Sequence, residues 1–184
     1  MPVCEAAVAA HVCDETAEKR LATHDVPYRY VGSGLQNVYL VGVTYYVCEC
    51  GKQAAEIPAM RNLFDALGRT IVSKTSPLTG PELRFLRKRL GKKAVEFAPM
   101  VSLTPEHLST LENSPDPVDE GRDKLVRLIY REMSDDKKLK LVFEKQQDFE
   151  KWITSIHKTG MGERIVASRL RNNQWKVEAE PVAA

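Results

Sequence analysis

The side chains with the greatest chemical reach are four cysteines and one histidine: Cys4, His11, Cys13, Cys48 and Cys50. Thiolates and neutral imidazoles are zinc ligands, and a structural zinc takes four of them in a tetrahedron, often as a close pair from each of two loops. His11-x-Cys13 and Cys48-x-Cys50 are two such pairs. They make His11, Cys13, Cys48 and Cys50 one candidate metal set, with Cys4 able to stand in for His11. The same residues also read as small apolar packing groups of a module that holds no metal. Cys48-x-Cys50 is one residue short of the redox Cys-x-x-Cys spacing. No Ser/His/Asp arrangement, glycine-rich phosphate loop or paired-carboxylate motif is present, so the sequence argues against an enzyme. His24 and His157 have no partner at ligand spacing and read as surface residues.

The second chemistry is cationic. From Arg61 to Lys93 there are nine basic residues (Arg61, Arg69, Lys74, Arg84, Arg87, Lys88, Arg89, Lys92 and Lys93) against two acids, Asp65 and Glu82. The whole chain sets 27 basic residues against 25 acidic ones, a net charge of +2. Any pull toward a polyanion must therefore come from this local patch. A solvated helix face is the alternative reading of the same charges.

These groups need elements to hold them. The 184 residues are 43% hydrophobic and 28% charged, which suits one folded domain or two small modules. No apolar run reaches the ~18 residues of a membrane helix, and no secretory signal opens the chain. A cytoplasmic protein with reduced cysteines and no membrane partner is expected. Residues 1–24 carry no strong period, and the region is left open, with a short helix around Glu15–Ala22 as one option. Tyr28–Tyr30, Val38–Val43 and Tyr45–Val47 are rich in aromatic and β-branched residues and read as a small antiparallel sheet. Met60, Leu63, Phe64, Leu67 and Ile71 recur at helical spacing. The polar stretch Ser73–Thr79 then reads as a linker.

Short helices are expected next. Thr79-Gly-Pro-Glu82 is a cap followed by proline, opening a helix with Leu83, Leu86 and Leu90 inside and Arg84, Arg87, Lys88 and Arg89 outside. Gly91 stops it. A second helix spans Lys92–Met100, a third runs from Thr104 to about Glu112, and a fourth over Asp123–Met133 presents Leu125, Leu128 and Ile129. The helices are expected to own a separate core built on Leu83, Leu86, Phe97, Leu108 and Leu125. Beyond them lie a Leu139–Phe143 strand, an amphipathic helix with Phe149, Trp152, Ile153 and Ile156, and a hairpin turning at Arg171–Asn173.

Leu78-Thr-Gly-Pro-Glu-Leu-Arg-Phe-Leu-Arg-Lys-Arg-Leu-Gly91 resembles the opening helix of Cro/repressor-type helix-turn-helix proteins, and Leu90 to Asn113 follows that pattern without a gap, ending in Leu-Glu-Asn. Tyr28-Arg-Tyr, Ser33-Gly-Leu-Gln-Asn-Val-Tyr-Leu-Val-Gly-Val43, Cys48-Glu-Cys-Gly51 and Glu56-Ile-Pro58 resemble the YgiT-type zinc-finger module. Together they resemble the MqsA antitoxin family over roughly residues 28–133. The resemblance implies a dimeric repressor that binds double-stranded DNA, whose first module holds zinc and, in antitoxins, grips a toxin protein. The fold implied is α+β: a β-rich module over 1–74, a helix-turn-helix bundle over 75–133, and a C-terminal helix plus hairpin over 134–184. The chain departs from the family in its cysteine spacing. It departs again in the reading helix, where the usual base readers fall on Glu106 and Thr110.

Residue chemistry fills in the expected interface. Arg87, Lys92 and Lys93 are the phosphate anchors. Glu106 suits a cytosine amino group, Thr110 a thymine methyl, and His107 and Ser109 are polar contacts. Thr104 opens the reading helix, and Ser102 holds the turn position where the family prefers glycine. The alternative function is a protein-interaction module that binds a toxin or other partner without sequence-specific DNA binding.

Overall fold

The computed structural model describes residues 17–136, 139, 146–156 and 163–181. It is a mixed α+β arrangement, with two sheets and six α-helices among the described residues. The first sheet is antiparallel, in the order β1 (Ala17–Leu21), β4 (Thr44–Cys48), β5 (Gln53–Ala55). The second has the order β2 (Tyr28–Arg29), β3 (Val38–Val41), β6 (Glu163–Arg169), β7 (Trp175–Pro181). The β3–β6 pairing is parallel, setting Val38 opposite Ile165 and Leu40 opposite Ala167. These four side chains are fully buried, as expected of β-branched and aliphatic residues at the middle of a covered sheet.

Helix α1 (Met60–Ser73) turns Leu63, Ala66, Leu67 and Ile71 inward, and Thr70 donates its hydroxyl to the Val177 carbonyl of β7 at 3.1 Å. The chain then runs extended into α2 (Gly80–Arg89), where the Thr79 N–H donates to the Glu82 carboxylate at 2.8 Å. This satisfies one of the amides a helix start leaves open. Gly91, at φ +67°, ends α2 in the left-handed region that glycine enters without strain. A short α3 (Ala94–Phe97) continues as a 3-10 turn over Ala98–Val101. Helices α4 (Pro105–Asn113), α5 (Glu120–Met133) and α6 (Gln146–Ser155) follow. Thr104 caps α4 by accepting from the His107 N–H, and Asp119 caps α5 by accepting from the Arg122 N–H.

Several expectations change. Ala17–Leu21, in the region left open, is a strand rather than the helix that was one option: four of its five residues are exposed, so its sequence carries almost no apolar period to read. The N-terminal strands form two sheets, and the hairpin of the expected 134–184 extension supplies half of the second. No separate core belongs to the helices. One continuous apolar cluster runs from Leu40 and Ile165 of the sheet through Leu67 and Ile71 to Leu86, Phe97 and Leu108. The stretch 73–79 is not a loose linker, because Arg127, with no exposed surface, donates to the carbonyls of Val72 and Ser76 at 3.0 and 2.7 Å and also to that of Lys74. On α5 the fully buried stripe is Asp123, Val126, Arg127 and Tyr130, while Leu125, Leu128 and Ile129 are half-buried. The hairpin turns at 171–173 as expected, with Asn172 and Asn173 at positive φ. Of the expected 139–143 strand only Leu139, which is buried and not in a strand, lies within the described residues. Among the described residues no helix is long and apolar enough to cross a membrane.

Candidate nucleic-acid interface

The expected site residues converge on α2, α4 and the turns between them. Helix α4 is fixed from behind by two contacts. Arg87 donates from Nε and Nη2 to the two carboxylate oxygens of Glu112, both at 2.6 Å, and from Nη1 to the Lys92 carbonyl at 2.8 Å. This two-pronged ion pair is almost fully enclosed, its side chains 10% and 4% exposed, and a forked guanidinium–carboxylate pair fixes orientation as well as distance. The second contact is Gly80: a Cβ there would stand 2.0 Å from the Leu111 carbonyl oxygen. Only glycine lets the start of α2 come this close to the last turn of α4.

Arg87 is therefore not at the surface. It was expected as a phosphate anchor, but Glu112 draws its guanidinium into the α2–α4 contact and holds its pKa above the ordinary arginine value. The sequence signal was there: Arg87 lies four residues after Leu83 and three before Leu90, on the apolar stripe of α2 rather than on the face of Arg84 and Lys88.

The outer face of α4 carries Glu106, His107, Ser109, Thr110 and Asn113, all exposed, while Leu108 and Glu112 face inward. Glu106 has its carboxyl held below the usual value, first by its own backbone N–H, then by the Thr104 hydroxyl, with a smaller effect from His107. The helix start thus offers a carboxylate acceptor beside an imidazole. Thr110 donates to the Glu106 carbonyl at 3.1 Å and Asn113 donates to the Ser109 carbonyl at 2.7 Å. Both side chains are thereby held along the helix.

The exposed or half-exposed basic groups nearest in sequence lie on α2 and at the start of α3. Lys88 and Lys93 are exposed, Lys92 is half-buried, and Arg84 reaches Asn113 at 3.3 Å, linking the basic side of α2 to the end of α4. The Lys93 backbone N–H donates to Glu96 and so starts α3. Ser102 is exposed and left-handed, at φ +55° and ψ +44°, the conformation its turn position called for. Thr104 is exposed, with its hydroxyl accepting at the head of α4.

The expected metal set is only half within the described residues. His11, Cys13 and Cys4 lie outside them. Cys48 ends β4, buried, and Cys50 is exposed in the tight turn where the Gly51 N–H donates to the Cys48 carbonyl at 2.8 Å. Strand β1 runs antiparallel to β4 with Ala17 opposite Cys48. Among the described residues no group of three or more His, Cys, Asp or Glu side chains is gathered for a metal. Cys48 and Cys50 supply two positions of a tetrahedron at most. The chain matches no protein-family model, no curated protein and no solved structure.

Three buried charged residues had escaped sequence reading: Glu112, Asp123 and Arg127. Each sits on the buried face of its helix, and Asp123 and Arg127 are four residues apart, the spacing of a helical ion pair.

Proposed function

We propose that the protein is a DNA-binding transcriptional regulator, a repressor of helix-turn-helix type in the cytoplasm, with α4 as the reading helix and α2–α3 as its support. The observation that carries this reading is a rigidly backed α4 whose outer face is wholly polar, with Arg84 of α2 reaching its end at Asn113 and exposed lysines, Lys88 and Lys93, on α2 and at the start of α3. A major groove accepts one helix, reads donors and acceptors on its side chains, and takes its affinity from cations on flanking phosphates. Glu106, His107, Ser109 and Thr110 are the readers, Lys92, Lys93 and Lys88 the anchors, and Ser102 and Thr104 set the angle of entry. As a repressor of this kind the chain acts as a homodimer on a two-fold operator, and as the antitoxin of a toxin–antitoxin pair it would also hold a toxin protein.

Zinc belongs to the same proposal. Cys48 and Cys50 on one turn suit one pair of a two-pair structural site, and His11-x-Cys13 is the other pair in the sequence. Purified protein should then hold about one zinc per chain. Metal-free protein with an intact β1–β4–β5 sheet makes the buried Cys48 a packing residue instead.

One observation favours a second reading. The outer face of α4 has no arginine or lysine and carries the Glu106 carboxylate, which repels phosphate. A surface of that kind also suits a protein partner, leaving the fold as an interaction module without sequence-specific DNA binding.

Gel shift and salt titration with Lys92→Ala/Lys93→Ala separate the two. On the DNA reading, affinity falls for all sequences and the salt slope drops by up to ~2. His107→Ala or Glu106→Ala then changes preference among sites by ~1–3 kcal/mol without altering nonspecific affinity. Unchanged binding in both experiments refutes α4 as the reader.

A further inference from the structure

On the seam between the second sheet and the start of α2, one cleft combines stiff apolar walls with an ionic floor. Its volume is about 410 Å3, and Leu35, Pro77, Pro81 and Pro115 form its walls. Prolines have little side-chain freedom to lose when something packs on them. On the floor, Lys74, whose side chain is 6% exposed, donates to Glu82 at 2.9 Å and to the Pro77 carbonyl at 3.0 Å, and its Nζ lies 3.9 Å from Glu163 Oε2. Among the described residues, one formal positive charge thus faces two formal negative ones.

The two carboxylates differ. Glu82 is 2% exposed and committed to Thr79 and Lys74. Glu163 is 18% exposed and lines the cleft. Its Oε2 accepts from the Ser76 hydroxyl at 2.5 Å, and among the described residues its Oε1 has no hydrogen-bond partner. The Asn37 side-chain amide donates to the Glu163 backbone carbonyl at 2.9 Å and holds this end of β6 in place. An apolar pocket with a few convergent polar groups is the usual form of a small-molecule site. A carboxylate oxygen left open in such a place is matched by a charged N–H donor.

We propose that this cleft binds a small organic amine, with its ammonium on Glu163 and its apolar body against Pro77, Pro81 and Pro115. An anionic ligand would meet Glu163 and find Lys74 already neutralised. The walls come from the 35–37 loop, the 74–82 stretch, Pro115 and Glu163, so a bound amine ties the sheet to the helices. If α4 reads DNA, this is a route for an effector to act on it, but the binding itself does not rest on that reading.

The test is an amide-detected NMR titration of the wild-type chain with benzylamine, benzyl alcohol and benzoate. Benzylamine should bind about ten-fold more tightly than the other two, shifting the amides of Leu35, Gln36, Asn37, Thr79 and Glu82. Glu163→Gln should remove that preference while keeping an acceptor for Ser76. Equal binding of all three, preference for benzoate, absence of binding, or shifts confined to other residues would each overturn the proposal. The charge series on the wild-type chain decides the matter even if the variant is poorly folded. No DNA is present, so a failure here leaves the reading of α4 intact, and a failure of that reading leaves the amine site intact.

Discussion

Arg87→Met is the substitution that most directly separates a structural role from a DNA contact. Arg87 and Glu112 are joined by two 2.6 Å hydrogen bonds with side chains 10% and 4% exposed. Removing the guanidinium leaves a carboxylate enclosed without its counter-charge, which costs about 3–5 kcal/mol. The Lys92 carbonyl also loses its donor, about another 1 kcal/mol. Against a typical total of about 5–15 kcal/mol, the single variant should be marginally folded. Arg87→Met with Glu112→Leu removes both charges and fills similar volume, so most of the loss should return, leaving the pair within about 1 kcal/mol of wild type. On these figures the coupling energy in the double-mutant cycle should be at least about 3 kcal/mol. Urea unfolding followed by circular dichroism gives all four stabilities, and the nonspecific DNA affinity of the double variant supplies the second readout. If Arg87→Met weakens DNA binding while the urea midpoint stays in place, the residue is a phosphate contact and the reasoning fails. A double variant no more stable than the single would also refute it.

Gly80→Ala should destabilise by about 3 kcal/mol in thermal unfolding, because backbone oxygens of Leu111 and Ser114 occupy the space; a gain in stability, the ordinary result of alanine in a helix, would contradict the close approach. Ser102→Gly should stabilise by about 0.5–1 kcal/mol, since it relieves a left-handed serine, and a loss in the same assay would count against that conformation. Asp119→Ala should cost about 1 kcal/mol near neutral pH as a lost helix cap. Desolvation opposes ionisation of Asp119, but the Arg122 side chain and backbone N–H outweigh it and hold the carboxyl below its ordinary 3.8. A depressed folded pKa means stability that is present above the unfolded value and lost on acidification. The gap between wild type and variant should therefore narrow as pH falls below about 4, and a gap that is constant to low pH would show that the carboxylate is not the cap.

What could be read from the sequence was what repeats locally. Met60, Leu63, Leu67 and Ile71 mark α1 because a 3.6-residue period leaves its trace on neighbours, and Thr79-Gly-Pro-Glu82 marks α2 because a cap needs its residues in order. The strand at 17–21 is a solvent-exposed edge, so the alternation that identifies a half-buried strand is missing. The β3–β6 pairing joins distant segments, and nothing within Val38–Val41 or Glu163–Arg169 names the partner. Arg87 was misjudged because charge was given more weight than position on the helix wheel. For the candidate site, the exposed residues of α4 and the left-handed Ser102 were legible, whereas the cleft at Glu163 required the fold to bring its walls together.

The parallel β3–β6 ladder also sets an order of events. Asn37 and Glu163, linked at the start of the ladder, are 126 residues apart. On a ribosome adding about 5–20 residues per second, β3 would wait roughly ten seconds for its neighbour. Helices with nearer partners close much faster, because the entropy of joining chain ends rises with the length between them. The helices would then assemble while Val38 and Leu40, fully buried in the finished sheet, still lie beside an unpaired edge of the kind that invites a neighbouring chain. The C-terminal hairpin thus works as a late clasp, and the interval before it arrives is when a nascent chain is most exposed to mispairing at β3.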